Sequence, residues 1–361
     1  MTASSTPIPA TESPPSAPFP IFRSVADVRA WRSEREKAGQ TVGFVPTMGA
    51  LHAGHLSLVK ESLAANDCTV VSIFVNPAQF APHEDLATYP RTIVSDIGAL
   101  SSVSHPSPSP SPSSRTVSAL FLPPVEALYP SGITTDVSKQ RGTFVEVKGL
   151  QEVMEGASRP GFFRGVATVV LKLFNLIQPT HAYFGQKDIQ QALVLRRMLL
   201  DLHVPHPLFS NMIIVPTYRD PVSHLALSSR NAYLAPEERS WATVLVDALR
   251  KATDEWERQR GEGEGEGEGE VKVDEVILAA EKHVMSIADA AAAEGKGVSI
   301  KLLYIAMNDP DELADLSYNL GGSGRVPKGR GAILSGAVML GKTRLIDNFV
   351  LGEFELNPRA Q

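Results

Sequence analysis

The sequence predicts an α/β fold in which a doubly wound parallel sheet is followed by a smaller α+β domain. Strands that are buried on both faces appear as nearly continuous apolar runs, and "CTVVSIFV" at 68–75 is such a run. Amphipathic stretches of helical length separate these runs up to about residue 214, which is the rhythm of repeated βαβ units. Beyond residue 215 the pattern changes to two long helices and then closely spaced strands.

The first domain is predicted at 20–214 and opens with a helix at 24–39. Ser24 is placed to cap this helix, and Asp27 follows it at the spacing of a capping box. Further strands are predicted at 41–47, 68–76, 117–123, 181–185 and 210–217, with helices at 54–66, 89–102, 164–178 and 187–202. This order predicts a Rossmann-like sheet, and such sheets bind ligands at the carboxyl ends of their strands.

The second domain is predicted at 215–361, with strands at 298–308, 331–340 and 343–351. Its segment "GAVMLGKT", at 336–343, matches the G-x-x-x-x-G-K-[ST] sequence pattern of a P-loop. A P-loop must stay loop-like through its variable positions and then open a helix, whereas Ala-Val-Met-Leu is typical of a strand. We therefore predict a β-hairpin with Gly341 in its turn.

Three polar segments of low complexity are too poor in apolar residues to join a core. They are a Pro/Ser tail at 1–19, a Ser/Pro insertion at 104–114 and a Gly/Glu insertion at 261–270. We predict that all three are solvated, the last two as loops within the first and second domains. The tail lacks the basic and apolar regions of a signal peptide, which predicts a cytoplasmic protein.

Composition excludes several classes of function. The net charge is −6 and the pI about 5.9, so no nucleic-acid-binding surface is expected. Cys68 is the single cysteine, which rules out a disulfide within the chain and predicts a small core residue. No apolar run reaches the roughly 18 residues of a membrane helix, so no membrane partner is expected.

Two histidines lie three positions apart where a predicted strand gives way to a helix, in "PTMGALHAGH" at 46–55. They could be ordinary turn residues, a metal pair, or part of a phosphate-binding loop. The spacing differs from that of zinc proteases, no cysteine or carboxylate stands nearby, and magnesium prefers oxygen ligands. A helix N-terminus favours anions, and Gly54 permits close approach of a ligand, so phosphate explains more of the pattern.

Three other polar segments are compatible with the same ligand. Lys187 stands at the first turn of a predicted helix, where a positive charge suits an anionic ligand better than the helix dipole. The loop "LSSRN" at 227–231 offers two hydroxyls and a guanidinium, and "NPAQF" places Gln79 at the end of the second core strand. Each of these segments alone is ordinary for a solvated surface.

Together these segments resemble the pantoate–β-alanine ligase (pantothenate synthetase) family of the HxGH-type nucleotidyltransferase superfamily. The matching strings are "PTMGALHAGH", "IFVNPAQF", "YPRT", "SRPGFFRGVATVV", "YFGQKDIQQ", "LALSSRN" and "LGKTRLIDN", in this order. The resemblance spans about residues 20–355 apart from the two insertions. It implies an ATP-dependent ligase that joins (R)-pantoate to β-alanine through pantoyl adenylate, releasing pyrophosphate and then AMP.

The resemblance also implies the roles of individual residues. His52 and His55 would contact the phosphates, with His55 as the proton donor, while Lys187 and Arg230 would complete the catalytic set. ATP would lie against Met48, Gly49, Ala50, Leu51, His52, Ala53, Gly54, His55, Gly185, Gln186, Lys187, Asp188, Leu227, Ser228, Ser229 and Arg230. Pantoate and β-alanine would be held by Gln79, Gln191, Tyr89 and Arg159.

A bound Mg²⁺ is expected with ATP, and Asp96 is a candidate contact to it, direct or through water. The family precedent also implies a homodimer. Phe162, Gln186 and Ser95 depart from the bacterial pattern, which has His, Glu and an acidic residue there. Two alternatives stay open: another nucleotidyltransferase of the superfamily, which would lack Gln79 and Gln191, and a non-catalytic ATP-binding descendant of the enzyme.

Overall fold

The computed structural model describes residues 16–106, 114–261, 270–295, 297–354 and 356–357. The chain forms two compact units. The first unit holds the described residues up to Phe184 together with Val194–Val215, and the second holds Gly185–Leu193 and the described residues from Pro216 onward. The domain boundary predicted from the sequence, between 214 and 215, stays a prediction.

A six-stranded parallel sheet forms the centre of the first unit, in the order β1-β6-β3-β2-β7-β8. The strands of this unit are β1 (Ile21–Phe22), β2 (Val42–Thr47), β3 (Cys68–Ile73), β4 (Ser104–Pro106), β5 (Ser114–Thr116), β6 (Ala119–Phe121), β7 (His181–Gly185) and β8 (Met212–Val215). Every residue of β3 is buried, including Cys68, as its apolar sequence predicts. The predicted α/β class is confirmed.

Helices cover this sheet. They are α1 (Val25–Lys37), α2 (Ala53–Ala65), α3 (Ile93–Ser102), α4 (Val125–Leu128), α5 (Glu155–Ser158), α6 (Phe162–Ile177) and α7 (Ile189–Asp201), the last of which begins in the second unit. Helix α1 opens as predicted, since the Ser24 hydroxyl accepts from the Asp27 amide at 3.1 Å. Helix α3 begins four residues later than predicted, since Pro90 disfavours helical geometry at Tyr89 and Thr92, with a φ of −116°, is the N-cap.

The second unit is α+β. Its helices are α8 (Pro236–Arg239), α9 (Val244–Gly261) and α10 (Val273–Ala293), and its strands are β9 (Glu270–Lys272), β10 (Ile300–Asn308), β11 (Arg325–Pro327), β12 (Ala332–Leu340) and β13 (Thr343–Leu351). Strands β10, β12 and β13 form an antiparallel sheet in that order. Helix α9 brings the fully buried Trp256 into a core shared with α10 and this sheet.

The P-loop look-alike is a β-hairpin, as predicted. Leu340 pairs with Thr343 across the turn, and Gly341 has a φ of 56°. A left-handed residue at this position is what a tight hairpin requires, and glycine adopts it without strain. Lys342 therefore lies at the hairpin tip and not at the start of a helix.

The predictions for the low-complexity segments need three corrections at their edges. Phe19 is buried in the first unit's core, because its ring adds apolar surface that the rest of the tail lacks. Strands β4 and β5 pair in antiparallel fashion at the ends of the Ser/Pro insertion, and Glu270 pairs with Pro327 at the end of the Gly/Glu insertion. Residues 1–15, 107–113 and 262–269, on which the remaining predictions fall, lie outside the described residues. Across the described part of the chain, no helix combines the length and apolarity needed to cross a bilayer.

Candidate active site

A loop with two left-handed residues connects β2 to α2 in the first unit. Gly49 has a φ of 85° and Ala50 a φ of 50°. A left-handed alanine is uncommon and costs about 1–2 kcal/mol, so the surroundings must stabilise it. Asp96 of α3 provides this stabilisation by accepting a hydrogen bond from the Ala50 amide.

Asp96 is buried and uses both carboxylate oxygens on this loop. Oδ2 accepts from the Ala50 amide at 3.0 Å, and Oδ1 accepts from the Leu51 amide at 2.8 Å. The Thr92 hydroxyl donates to Oδ1 at 3.2 Å. Asp96 thus holds the loop in shape, a role that the sequence did not indicate. Its contact to magnesium stays a prediction.

The two histidines form a reciprocal capping box at the start of α2. Nδ1 of His52 accepts from the Gly54 amide at 3.1 Å, and Nδ1 of His55 accepts from the His52 amide at 3.4 Å. The ring centroids are 4.1 Å apart. An imidazole that accepts a hydrogen bond through Nδ1 carries its hydrogen on Nε2, so Nε2 is the donor atom of each ring.

This arrangement bears on the three interpretations of "HAGH". Both Nδ1 atoms are already engaged in the helix cap. Among the described residues, no group of three or more His, Cys, Asp or Glu side chains is arranged to hold a metal ion. The geometry therefore favours a donor pair at a helix N-terminus, which suits an anionic ligand.

Gln79 ends a short 3₁₀ helix, Pro77–Gln79, that follows β3. Its Oε1 accepts from Nδ2 of Asn76 at 3.0 Å, and the Asn76 Oδ1 accepts from the Tyr129 hydroxyl at 2.7 Å. Burial raises the pKa of Tyr129, which keeps its hydroxyl protonated as the donor. Because its oxygen is turned to Asn76, Gln79 directs its amide nitrogen the other way. Sequence reasoning missed Asn76, although it stands within the quoted "NPAQF", and Tyr129.

Arg159, another predicted substrate contact of the first unit, is already part of an ion pair. Its Nε and Nη2 atoms donate to Glu84 at 2.7 and 2.9 Å. Its guanidinium also lies 3.7 Å from the ring centroid of Phe162, one of the three residues that depart from the bacterial pattern. Tyr89 is buried, with its ring in a T-shaped contact with Phe80 at 5.8 Å.

The predicted ATP segment at 185–188 belongs to the second unit. Gln186–Asp188 is a 3₁₀ turn that leads directly into α7, and Nζ of Lys187 lies 3.5 Å from Oδ1 of Asp188. Asn348 of β13 binds this turn: its Nδ2 donates to the carbonyls of Gln186 and Lys187 at 2.9 and 2.8 Å. Gln191, in the first turn of α7, is half-buried.

The segment at 227–230 also belongs to the second unit. Ser228 caps the 3₁₀ helix Ser229–Tyr233, its hydroxyl accepting from the Arg230 amide at 3.3 Å. Strand β13 contacts this helix as well as the 185–188 turn. Within the second unit, β13 therefore connects both segments that the resemblance assigns to ATP.

The chain is similar to known proteins over nearly its whole length. The family model described as pantoate-beta-alanine ligase matches residues 20–350. A pantothenate synthetase from Chloroflexus aggregans is 42% identical over 331 residues, which cover 92% of this chain and 99% of the relative. The crystal structure of pantothenate synthetase from Thermus thermophilus matches with a TM-score of 0.70 and 37% identity, covering 94% of this chain and 100% of that chain.

A third relative, pantoate-beta-alanine ligase from Francisella tularensis, was solved with beta-gamma ATP and beta-alanine. It matches with a TM-score of 0.64 and 30% identity, covering 94% of this chain and 99% of its own. These matches extend over both units and confirm the resemblance found in the sequence. The chain belongs to the pantoate-beta-alanine ligase family.

Proposed function

We propose that this protein condenses (R)-pantoate with β-alanine to give pantothenate, converting ATP to AMP and pyrophosphate. The observation that carries the proposal is the family match over residues 20–350. The donor pair of His52 and His55 at a helix N-terminus supports it, because adenylation builds negative charge on a phosphate. The relative solved with a form of ATP and with β-alanine supports the same two substrates here.

In the first half-reaction, a pantoate carboxylate oxygen attacks the α-phosphorus of ATP. The bond from that phosphorus to the bridging oxygen breaks, and pyrophosphate leaves. His52 and His55 donate from Nε2 to phosphate oxygens as charge develops, and His55 is the proton donor. Lys187 and Arg230 add positive charge to the same phosphates.

In the second half-reaction, the amine of β-alanine attacks the acyl carbon of pantoyl adenylate. The bond from this carbon to the AMP oxygen breaks, and the amine loses a proton. Gln79 and Gln191 hold pantoate, and the amide nitrogen of Gln79 suits its carboxylate and hydroxyl oxygens. Tyr89 and Arg159 complete the substrate contacts, Arg159 exchanging or sharing its ion pair with Glu84.

The remaining ATP contacts come from the backbone and side chains at 48–55, 185–188 and 227–230. Magnesium in such sites is bound largely by the phosphates themselves, with one or two protein carboxylates. Three of the roughly four lone-pair positions of Asp96 are taken by Ala50, Leu51 and Thr92, which leaves room for one water-mediated contact. We further propose that the protein works in the cytoplasm as a homodimer.

Exchange of labelled pyrophosphate into ATP tests the first half-reaction. We expect exchange with pantoate alone, and AMP release only when β-alanine is also added. Exchange that proceeds equally well without pantoate would favour another nucleotidyltransferase. Binding of ATP with no exchange under any condition would favour the non-catalytic descendant.

A further inference from the structure

Asn348 is a buried residue of β13 whose side-chain amide is fully used by one turn. Its two N–H groups donate to the carbonyls of Gln186 and Lys187, and its Oδ1 accepts from Nε2 of Gln186 at 3.4 Å. These partners lie 161 and 162 positions away in the sequence, so the contact is tertiary. No other residue type of this size offers two donors and an acceptor in one plane.

The two carbonyl groups that Asn348 binds affect how an anionic ligand could lie against the 185–188 turn. A carbonyl oxygen carries partial negative charge and would repel a phosphate placed against the same turn. Binding both oxygens to Asn348 fixes the peptide planes on either side of the Lys187 Cα atom. The direction in which the Lys187 side chain leaves the turn is thereby fixed as well.

The part of β13 that contains Asn348 is held in place by an ion pair. The neighbouring Asp347, also buried, accepts from Nη1 and Nη2 of Arg219 at 2.6 and 2.9 Å. Oδ1 of Asp347 also accepts from the backbone amide of Asn348 at 2.8 Å. Successive side chains of a strand point to opposite faces, so this ion pair and the 185–188 turn secure the strand from two sides.

We propose that Asn348 is a positioning residue for ATP, which acts by holding Lys187 in the geometry that binds phosphate. The proposal rests on the function proposed above, since it takes Lys187 as a phosphate contact. It goes further in predicting that part of the ATP affinity comes from a residue that touches no substrate. The bound ligand is recognised by its phosphates, so adenosine alone should be insensitive to Asn348.

A purely structural role is the competing explanation, and the chain offers a matched control for it. Asn308 of β10 is equally buried, at 2% exposure for both residues, and lies in the same sheet. Its Nδ2 donates to the carbonyl of Leu313 at 2.9 Å. Asn308→Ala therefore removes a buried amide from the same unit without touching the 185–188 turn.

The experiment is a double-mutant cycle of Asn348→Ala and Lys187→Ala, read out by calorimetric titration with ATP and separately with adenosine. We expect Asn348→Ala to weaken ATP binding by roughly ten- to hundredfold, because small displacements of a charged contact are costly. In the Lys187→Ala background the same change should weaken ATP binding by about twofold or less, since a residue that acts through Lys187 cannot act without it. Adenosine binding should change in neither background.

Kinetics add a second readout. In pantoate-dependent pyrophosphate exchange, Asn348→Ala should raise the KM for ATP while leaving the KM for pantoate near the wild-type value. Asn308→Ala should leave ATP affinity and both KM values unchanged in the folded fraction, although it lowers the denaturation midpoint.

Three outcomes would overturn the proposal: wild-type ATP affinity in Asn348→Ala, effects of the two substitutions that multiply in the double variant, or an equal loss of ATP affinity in Asn308→Ala. The calorimetric cycle does not need turnover. If the wild-type protein binds ATP but catalyses no exchange, the proposed function fails while Asn348 is still tested.

Discussion

The two segments assigned to phosphate, the loop at 48–55 and the turn at 185–188, are each held by one buried side chain, but the two side chains have opposite hydrogen-bonding character. Asp96 accepts from the backbone amides of Ala50 and Leu51. Asn348 donates to the backbone carbonyls of Gln186 and Lys187. Asp96 therefore occupies backbone N–H groups of the loop, and Asn348 occupies backbone carbonyl oxygens of the turn.

This contrast shows which groups each segment keeps for a ligand. In the loop, two amides are engaged by Asp96, so in the proposed function the donors to phosphate are the imidazoles of His52 and His55. In the turn, the carbonyls are bound by Asn348, and in the proposed function Lys187 supplies the positive charge. We therefore propose that the loop acts mainly on the transition state, through donors that gain strength as charge develops, and that the turn acts mainly in binding.

The largest effect is expected from removing the imidazoles while keeping the helix cap. Asparagine is a good N-cap and glutamine suits the N3 position of a capping box, so His52→Asn and His55→Gln should retain the start of α2. Each should slow adenylation by roughly a hundred- to a thousandfold, about 2.7–4 kcal/mol, as expected for a lost transition-state donor. Single-turnover formation of pantoyl adenylate measures this rate.

The same variants should change ATP affinity much less than the rate, and turnover of supplied pantoyl adenylate should be nearly unaffected. If either variant loses ATP affinity in proportion to its rate, the histidines bind the ground state and the contrast between loop and turn fails. Circular dichroism and a denaturation curve check that the fold is intact.

The next test replaces one carboxylate oxygen of Asp96, the residue that holds the loop at 48–55. Asp96→Asn places an NH₂ group against a backbone amide of Ala50 or Leu51, so one hydrogen bond to a charged acceptor is replaced by two facing donors. We expect the free energy of unfolding to fall by about 2 kcal/mol. Urea denaturation measures it. The neighbouring Ser95 is exposed, so Ser95→Ala is the control and should leave both stability and rate unchanged. Equal stability of Asp96→Asn and wild type would show that the loop does not depend on Asp96.

A smaller effect is expected from the loop's glycine. Gly49 has a φ of 85°, and an added Cβ would lie 3.1 Å from Oδ2 of Asp96 and from the Ile73 side chain. Gly49→Ala should therefore cost about 1–2 kcal/mol of stability. Gly98→Ala is the matched control, because Gly98 lies in α3 and a Cβ added to it would meet no atom within 4 Å apart from its chain neighbours and the backbone of its own helix. That change should instead stabilise the protein by about 0.5–1 kcal/mol. Thermal unfolding of the two variants decides whether the left-handed backbone is required.

The smallest effect is expected from substituting Lys342 in "GAVMLGKT", the segment that matches the P-loop pattern. Lys342 stands at the tip of the β12–β13 hairpin, outside both phosphate segments. Lys342→Ala should leave ATP affinity within about twofold of wild type and stability within about 0.5 kcal/mol, as for other surface substitutions. Loss of ATP binding in a folded Lys342→Ala protein would revive the P-loop interpretation. Calorimetry with ATP is the measurement.

Most elements of the fold could be predicted from the sequence, because hydrophobic periodicity and turn-forming residues are local signals. The apolar run of β3, the Ser24 cap and the Gly341 turn each depend on residues within a few positions. Strand β1 was missed because two residues are too few to show a period. Phe19 was missed because a single aromatic residue in a Pro/Ser tail carries no pattern.

The candidate site was accessible only in part, for a related reason. The resemblance assigns roles to residues that would touch ligand, whereas it assigned no role to the residues that support them, even where these stand in the same strings. Asn348 is one asparagine in a strand, and Asp96 is one carboxylate in the first turn of a helix. Tyr129 is 53 positions from the Asn76 that it orients. Only the folded chain brings such pairs together, so neighbouring residues in the sequence carry no signal for them.

The histidine capping box makes the start of α2 depend on the tautomer of both rings. A ring nitrogen that carries a hydrogen cannot accept a hydrogen bond, so each Nδ1 must lack one for its half of the box to form. Folding of the helix start therefore selects the tautomer whose hydrogen lies on Nε2. The same few atoms thus set both where α2 begins and which nitrogen of each histidine is the donor.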